Sequence, residues 1–355
     1  MLGKKILVFS IYLSLLCLVF FACASTGTST AASSGAGRSA GPDWVRDPYT
    51  KYDKQANVAA VGSGSSRQAA ERNALGNLVG IFGQDIQVDE KLSVSYQEAV
   101  QSGAAANWSE TTVSDSVIST SAGLDSLVGA EIGDNWDDGR GGYYAVAVLN
   151  KAKASQIYTE MVKTNQTMIN NLTNIPAAQK NTLEGYSRYQ FAAVVADINT
   201  SYGNLLSVIG TPVQGLKKGD DYRIEAANIT REIPVAVRVQ NDRSGRIQGA
   251  FNKALSDLGF RTGGANARYS LDVNVAMSPV TIANNPNSFT RIEVTANLRD
   301  TTLGSVIMPY NFSSREGHTS QAEADNRAIL AAERKINDEY ARMLNDTLTQ
   351  LLPKK

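Results

Sequence analysis

The sequence has very few of the side chains that serve in metal binding and nucleophilic catalysis. Its 355 residues include two cysteines and one histidine. Both cysteines, Cys17 and Cys23, lie near the N-terminus, so the rest of the chain has no thiol for a disulfide, a nucleophile or a zinc site. A single histidine is too few for a histidine-rich metal site. We therefore predict no metal and no catalytic residue.

The chain also lacks a surplus of charge of either sign. It has 34 basic and 34 acidic residues, which give a formal net charge of zero. Nucleic-acid-binding proteins normally carry a basic surplus, so we expect no nucleic-acid partner. The two signs are unevenly placed, with excess acids in residues 43–154 and excess bases in residues 215–355. This asymmetry is compatible with two differently solvated surfaces or with head-to-tail packing between domains or subunits.

The first 23 residues have the pattern of an export signal. Lys4 and Lys5 precede an apolar run that ends at Ala22, and Cys23 follows. This order is typical of a signal peptide, and it resembles a bacterial lipoprotein signal, in which the cysteine after the cut carries the lipid. We expect cleavage between Ala22 and Cys23, with a covalent lipid such as palmitate on Cys23 and no other cofactor. An uncleaved signal anchor and cleavage without lipid are the alternatives.

Composition and periodicity divide the chain into six segments. They predict the α+β class, with two β-α-β-β-β(-α) domains that have antiparallel sheets and are linked by a long antiparallel helical hairpin. The segments are a signal peptide (1–22), lipidated Cys23 with a flexible tether (23–41), an α+β domain (42–150), the hairpin (151–210), a linker (211–221) and a C-terminal α+β domain with a long terminal helix (222–355).

The first α+β domain is predicted from one helical pattern among several strand patterns. Ala70, Ala74 and Leu78 recur at four-residue steps on one face of a helix. Alternating apolar and polar residues predict the strands. The expected order is a strand at 58–62, a helix at Arg67–Phe82, strands at Gln84–Tyr96 and Ser109–Thr120, and a strand pair at Asp125–Ile132 and Gly142–Leu149 with a turn between them.

The hairpin is predicted from apolar residues that recur at alternating steps of four and three. This spacing is a heptad seam, which Pro176 interrupts before a second helix that runs to about Leu206. The seam either covers a sheet or binds a partner or a second copy of the chain, in which case Asn165 would set its register. The candidate seam residues are Tyr158, Met161, Asn165, Met168 and Leu172.

The C-terminal domain is predicted to begin after the linker. Its long last helix has one apolar face and stops at Pro353. The expected elements are a strand at Ile233–Val239, a helix at Gly245–Leu258, strands near Tyr269–Met277, Thr290–Leu298 and Gly304–Phe312, and the helix Gln321–Leu352.

Three short motifs resemble ligand-binding or catalytic motifs, but for each of them a structural role is favoured. Gly62-Ser63-Gly64 lacks the third glycine of a dinucleotide-binding turn, so a tight strand-to-helix turn is favoured. The aspartates at 134, 137 and 138 lack the remaining ligands of a calcium loop, which favours a solvated hairpin turn. Around His318, Ser320 and Glu323 have the spacing of a helix cap, which favours a structural role.

The segments PDWV (Pro42–Val45), VAAVGSGSSRQAAERNALGNL (Val58–Leu78) and GGYYAVAVLNKAKA (Gly141–Ala154) resemble the LPP-twenty type of bacterial lipoprotein. This resemblance implies an envelope lipoprotein with an α+β domain and no established reaction. Residues 42–150 are then an LPP-twenty-like domain.

From the anchor and this resemblance we expect a lipid-anchored protein of the bacterial envelope, at the outer membrane. We expect it to be non-enzymatic, with a structural or assembly role, and with other envelope proteins or a second copy as partners. The alternative is a ligand-binding lipoprotein that uses a cleft between its domains. An enclosed apolar pocket would favour the ligand binder, whereas an exposed patch or an unpaired edge strand would favour the assembly protein.

Overall fold

The computed structural model describes residues 41–82, 127–264, 266–349 and 351–352. The predicted signal peptide, Cys23, nearly all of the tether and the predicted strands Gln84–Tyr96 and Ser109–Thr120 lie outside the described residues. Within the described ranges the fold is mixed α+β.

The N-terminal part is a three-stranded antiparallel sheet with one helix packed on it. Its elements are two 3-10 turns at Asp43–Val45 and Pro48–Thr50, strand β1 (Asn57–Gly64), helix α1 (Arg67–Ile81), strand β2 (Ala130–Asp137) and strand β3 (Tyr143–Asn150). The strand order is β1-β3-β2. As predicted, α1 buries Ala70, Ala74 and Leu78, and it begins where the Ser66 hydroxyl accepts the Ala69 N–H at 3.2 Å.

Gly62 is required where β1 crosses α1. A Cβ atom on Gly62 would lie 2.1 Å from the backbone nitrogen of Ala74 and 2.6 Å from the carbonyl oxygen of Ala70. The glycine therefore lets the strand and helix backbones touch. The tight strand-to-helix turn predicted for this motif follows it at Ser65 and Ser66, because Gly62 and Gly64 lie within β1.

The β2–β3 hairpin differs in position from its prediction. Strand β2 runs through Asp137, so Asp134 lies in the strand, after a register shift that follows Ile132. The predicted strand Asp125–Ile132 therefore ends too early in the sequence, and the predicted turn is too long. The bulge explains the error, because it interrupts the alternation on which the strand prediction relied.

The helical hairpin is present and antiparallel. It consists of α2 (Lys151–Thr173), the single turn α3 (Ala177–Lys180) and α4 (Leu183–Val208). The Tyr158 and Tyr202 rings are 5.4 Å apart, and the Asn199 amide donates a hydrogen bond to the Val162 carbonyl at 3.3 Å. Tyr158 and Met161 pack in the core of the first sheet, whereas Met168 and Leu172 pack in the core of the second. The hairpin thus belongs to both cores.

The C-terminal part is a four-stranded sheet with helices on one face. Its elements are α5 (Gly219–Glu232), β4 (Val235–Gln240), α6 (Arg246–Asp257), β5 (Tyr269–Val280), β6 (Ser288–Asp300), β7 (Ser305–His318) and α7 (Gln321–Thr349). The strand order is β4-β5-β6-β7. The buried face includes an edge-to-face cluster of Phe251, Tyr310 and Tyr340, whose ring centroids are 4.8–6.0 Å apart.

Two predictions for this part were wrong. The predicted linker 211–221 ends inside a helix, because Gly219–Asp221 form the first turn of α5. The second sheet is not wholly antiparallel, because β4 pairs with β5 in parallel. The crossover helix α6 accounts for this, since it returns the chain to the end of the sheet at which β4 began.

Candidate functional site

Strand β5 extends beyond its neighbour β4 and leaves part of its edge open. The parallel ladder runs from Val235 opposite Tyr269 to Gln240 opposite Asn274. The next six residues of β5, Val275–Val280, continue to pair with β6 on their other side. No other strand in the described ranges pairs with this segment, which we call the β5 edge. Its unpaired backbone groups are a template for an added strand.

The chain leaves β4 at this point because the following loop turns it into α6. Asn241 has a positive φ of 65°, and its amide donates a hydrogen bond to the Asn274 side chain at 3.0 Å. The Asp242 carboxylate accepts the Gln248 N–H at 2.9 Å and so caps the start of α6. These local contacts end β4 and expose the β5 edge.

A half-open groove of about 680 Å³ lies beside the β5 edge. It is bounded by the first turns of α6 and α7 and by the helix-covered face of β5. Its apolar lining comes from Val275, Met277, Ile247 and Ile329. The Met277 side chain is 38% exposed although it points to the helix-covered face. The groove therefore offers apolar surface immediately next to open backbone.

Polar side chains on one wall of the groove form a fixed cluster. The Gln321 amide nitrogen lies 2.6 Å from Thr290 Oγ1 and 2.8 Å from Asp325 Oδ1 and donates to both. The Thr290 hydroxyl, which is buried, also donates to Asp325 Oδ1. Asp325 Oδ2 has no protein partner among the described residues. The cluster thus holds a carboxylate in one orientation at the groove.

The opposite edge of the sheet is less suited to strand addition. Strand β7 contains Pro309, which has no N–H, and charged Arg315 and Glu316 near its end. Proline and charge are devices that protect sheet edges from pairing. The β5 edge is therefore the stronger candidate.

The seam residues predicted from the sequence are buried within the chain. They pack against α4 and the two cores, and no more than 4% of any of them is exposed. A partner would reach them only if the hairpin opened. These residues are Tyr158, Met161, Asn165, Met168 and Leu172. The predicted cleavage and lipidation site at Ala22 and Cys23 lies outside the described residues.

The aspartates of the β2–β3 hairpin are engaged by the protein itself. Hydrogen bonds from Lys51 and Tyr52 lower the pKa of Asp134, while burial and the Asp134 carboxylate raise the pKa of Tyr52. Hydrogen bonds from the backbone N–H groups of Arg140 and Gly142 lower the pKa of Asp138. Within the described ranges no three histidine, cysteine, aspartate or glutamate side chains form a metal cluster. Of the three aspartates, Asp134 and Asp137 lie in β2 and Asp138 lies in the turn, so the hairpin-turn interpretation holds for Asp138 and was wrong for the other two.

His318 lies at the end of β7 and takes part in local structure. Its Nδ1 atom accepts the Ser320 N–H at 3.3 Å, and the Ser320 hydroxyl accepts the Glu323 N–H at 3.4 Å at the start of α7. This confirms the helix-capping interpretation of the stretch.

Sequence reasoning missed the β5 edge. Its signal was a mismatch of length, because the predicted strand Ile233–Val239 is shorter than the pair of strands that follow it. That mismatch becomes informative only once β4 is known to pair with β5.

Comparison with known proteins identifies the first α+β segment. Residues 42–150 match the LPP20 lipoprotein family, which confirms the resemblance to the LPP-twenty type. This family implies a lipid-anchored protein of the cell envelope. No curated protein matches the sequence. In the part of the chain that the structure describes, no helix is both long and apolar enough to cross a bilayer.

Several solved structures show partial similarity. A secreted protein from Helicobacter pylori is 14% identical, with 84% of this chain and 99% of that chain covered and a TM-score of 0.42. A minor lipoprotein from Acinetobacter baumannii is 14% identical, with 33% and 93% covered and a TM-score of 0.24. A putative lipoprotein from Caulobacter crescentus is 19% identical, with 33% and 89% covered and a TM-score of 0.23.

Proposed function

We propose that this chain, whose residues 42–150 match the LPP20 lipoprotein family, is a non-enzymatic assembly protein of the outer membrane. Cleavage after Ala22 and lipidation of Cys23 anchor it to the membrane. Its partner is another envelope protein, and the part bound is an extended segment. That segment docks along the β5 edge.

The observation that carries this proposal is the coincidence of the open edge and the groove. A strand added beside Val275–Val280 would pair with β5 on the side of β4, beyond the end of β4. Its backbone would hydrogen-bond to β5, and alternate side chains would enter the groove between α6 and α7. In recognition by strand addition, main-chain hydrogen bonds provide affinity, and pockets for alternate side chains provide specificity.

Pro279 limits how far such pairing can extend. Proline has no N–H to donate, and within sheets it is confined mainly to edges. The edge is also short, at six residues. Both features suit the capture of one short segment and oppose open-ended aggregation along the sheet.

The ligand-binding alternative has less support. A small-molecule site is typically a cleft or cavity that buries most of the ligand's surface and has a few convergent polar groups. The groove beside the β5 edge is instead half open, and it runs along unpaired backbone.

Site-specific photo-cross-linking in cells tests the proposal. A benzoylphenylalanine at Met277 of the full-length lipoprotein should give an adduct with one envelope protein, at an extended segment of that protein. The matched control is the same residue at Thr295, which is exposed on the other face of the sheet. Equal adducts from both positions, or none from Met277, would contradict the proposal.

A blocking variant provides a second measurement. Met277→Arg places a charge in the groove and should reduce the yield of adduct from a cross-linker at Ser278 at least fivefold. Thr295→Arg makes the same change on the exposed face and should leave that yield unchanged. Circular dichroism of both variants confirms that they are folded.

A further inference from the structure

We infer that the segment bound at the β5 edge has a lysine or arginine side chain that enters the groove and pairs with Asp325. This inference rests on the proposed function and specifies the chemistry of the partner. The observation behind it is a carboxylate that the protein orients toward the groove and leaves partly unpaired.

The Asp325 carboxylate is held from one side only. Thr290 and Gln321 both donate hydrogen bonds to Oδ1, so this oxygen is occupied. Oδ2 accepts no hydrogen bond from the described residues, and no lysine or arginine among them forms an ion pair with Asp325. A cation that approaches along the groove would meet an oriented acceptor. Hydrogen bonds between charged groups are about twice as strong as those between neutral ones.

The other charged groups at the groove leave Asp325 as the site for a cation. Both oxygens of Asp242 are used locally, since they accept from the Ser244 hydroxyl at 3.0 Å and from the Gln248 N–H at 2.9 Å. Arg243, on the α6 side, is exposed and forms no ion pair with the described residues. It repels a basic side chain from its own end of the groove. The cation is therefore directed to the α7 side, where Asp325 lies.

The apolar lining suits the rest of such a side chain. Lysine and arginine have long hydrocarbon stems that pack on apolar surface while the charged end reaches a polar partner. Met277 and Ile329 line the groove together with Asp325. A glutamate at the same position would face the Asp325 carboxylate, and a methionine would leave Oδ2 without a partner. The site therefore favours a basic side chain over both.

Labelled peptides test the inference on the full-length lipoprotein in detergent micelles. The probes are fluorescein-labelled octapeptides of alternating Thr and Val in which the central inward position is Lys, Arg, Met or Glu. Fluorescence anisotropy should show that the Lys and Arg peptides bind about tenfold more tightly than the Met peptide, with the Glu peptide weakest. This preference should shrink as the salt concentration rises.

Asp325→Asn should remove the preference and leave the affinity for the Met peptide unchanged. Asp338→Asn is the matched control, because Asp338 is exposed on the same helix and does not line the groove. Equal affinities for the Lys and Met peptides in the unmodified protein, or a preference that survives Asp325→Asn, would overturn the inference.

The outcomes separate the two proposals. If the peptides bind equally and Met277→Arg abolishes their binding, strand addition stands and the basic specificity is wrong. If no peptide binds and the cross-linker at Met277 gives no adduct, the proposed function fails and this inference fails with it.

Discussion

The Asp197 carboxylate of α4 caps α5 at Gly219. Asp197 Oδ1 accepts the Gly219 N–H at 3.1 Å, and Oδ2 accepts a hydrogen bond from the Arg223 guanidinium. A Cβ atom at position 219 would lie 2.1 Å from Asp197 Oδ1, so only glycine permits this approach. The helical hairpin is thereby joined to the first helix of the C-terminal part.

Replacing Asp197 by alanine should lower the free energy of unfolding by about 1–2 kcal/mol. The cap accounts for most of this loss. The ion pair adds little, because more than a third of the Arg223 side chain is exposed and solvent screens it. Asp220→Asn removes the other carboxylate that pairs with Arg223, and it should cost no more than about 0.5 kcal/mol. Urea denaturation measures both, and equal losses would show that the cap is unimportant.

Adding a methyl group at Gly62 should destabilise the protein far more than adding one at Gly76. Gly62→Ala forces a Cβ atom into the backbone of α1 at Ala74 and should destabilise the protein by about 3 kcal/mol. Gly76 lies on the exposed side of the same helix with nothing within 4 Å of an added Cβ. Gly76→Ala should therefore stabilise the helix by about 0.5–1 kcal/mol. Thermal melting of the two variants tests this, and a tolerated Gly62→Ala would contradict the contact.

The helices could be predicted because they have strong periodic patterns. The seam from Tyr158 to Leu172 and the apolar face of α1 are found where the sequence places them. What covers the seam could not be read from it, because Asn165 in a heptad fits a partner helix as well as one within the chain. Helix α5 (Gly219–Glu232) was not predicted at all, and its cap, Asp197, gives no local signal because it lies 22 residues before Gly219.

The candidate site could be predicted only in part. The strands β5 and β6 follow from their alternation, and Asp325 lies on a helix whose start is marked by Ser320 and Glu323. The open edge depends on the register between β4 and β5, which no local pattern encodes. The polar cluster joins Thr290 to α7 by contacts that only the tertiary fold creates.

Two buried tyrosines should respond in opposite ways to loss of their hydroxyl groups. The Tyr340 hydroxyl is buried without a hydrogen-bond partner among the described residues, so Tyr340→Phe should be neutral or stabilise by up to about 1 kcal/mol. The Tyr158 hydroxyl accepts the Val128 N–H at 2.9 Å, and Tyr158→Phe should cost about 1–2 kcal/mol. Urea denaturation of the pair checks the prediction. A large loss for Tyr340→Phe would reveal a partner for its hydroxyl.

Stability should fall steeply in alkaline solution. Burial raises the pKa of Tyr158 to about 12, and burial together with the nearby Glu339 charge raises that of Tyr310 to about 12, from an ordinary value of about 10. The folded protein therefore binds these protons more tightly than the unfolded chain does. The stability that results is complete below about pH 10 and is lost as the pH rises towards 12.

Tyr310→Phe isolates one part of this alkaline loss. The Tyr310 hydroxyl has no hydrogen-bond partner among the described residues, so its removal should leave the melting temperature at pH 8 nearly unchanged. Between pH 10 and pH 12 the variant should lose less stability than the unmodified protein, because one raised pKa is gone. Parallel slopes for Tyr310→Phe and the unmodified protein would mean that Tyr310 ionises as easily in the folded state as in the unfolded one.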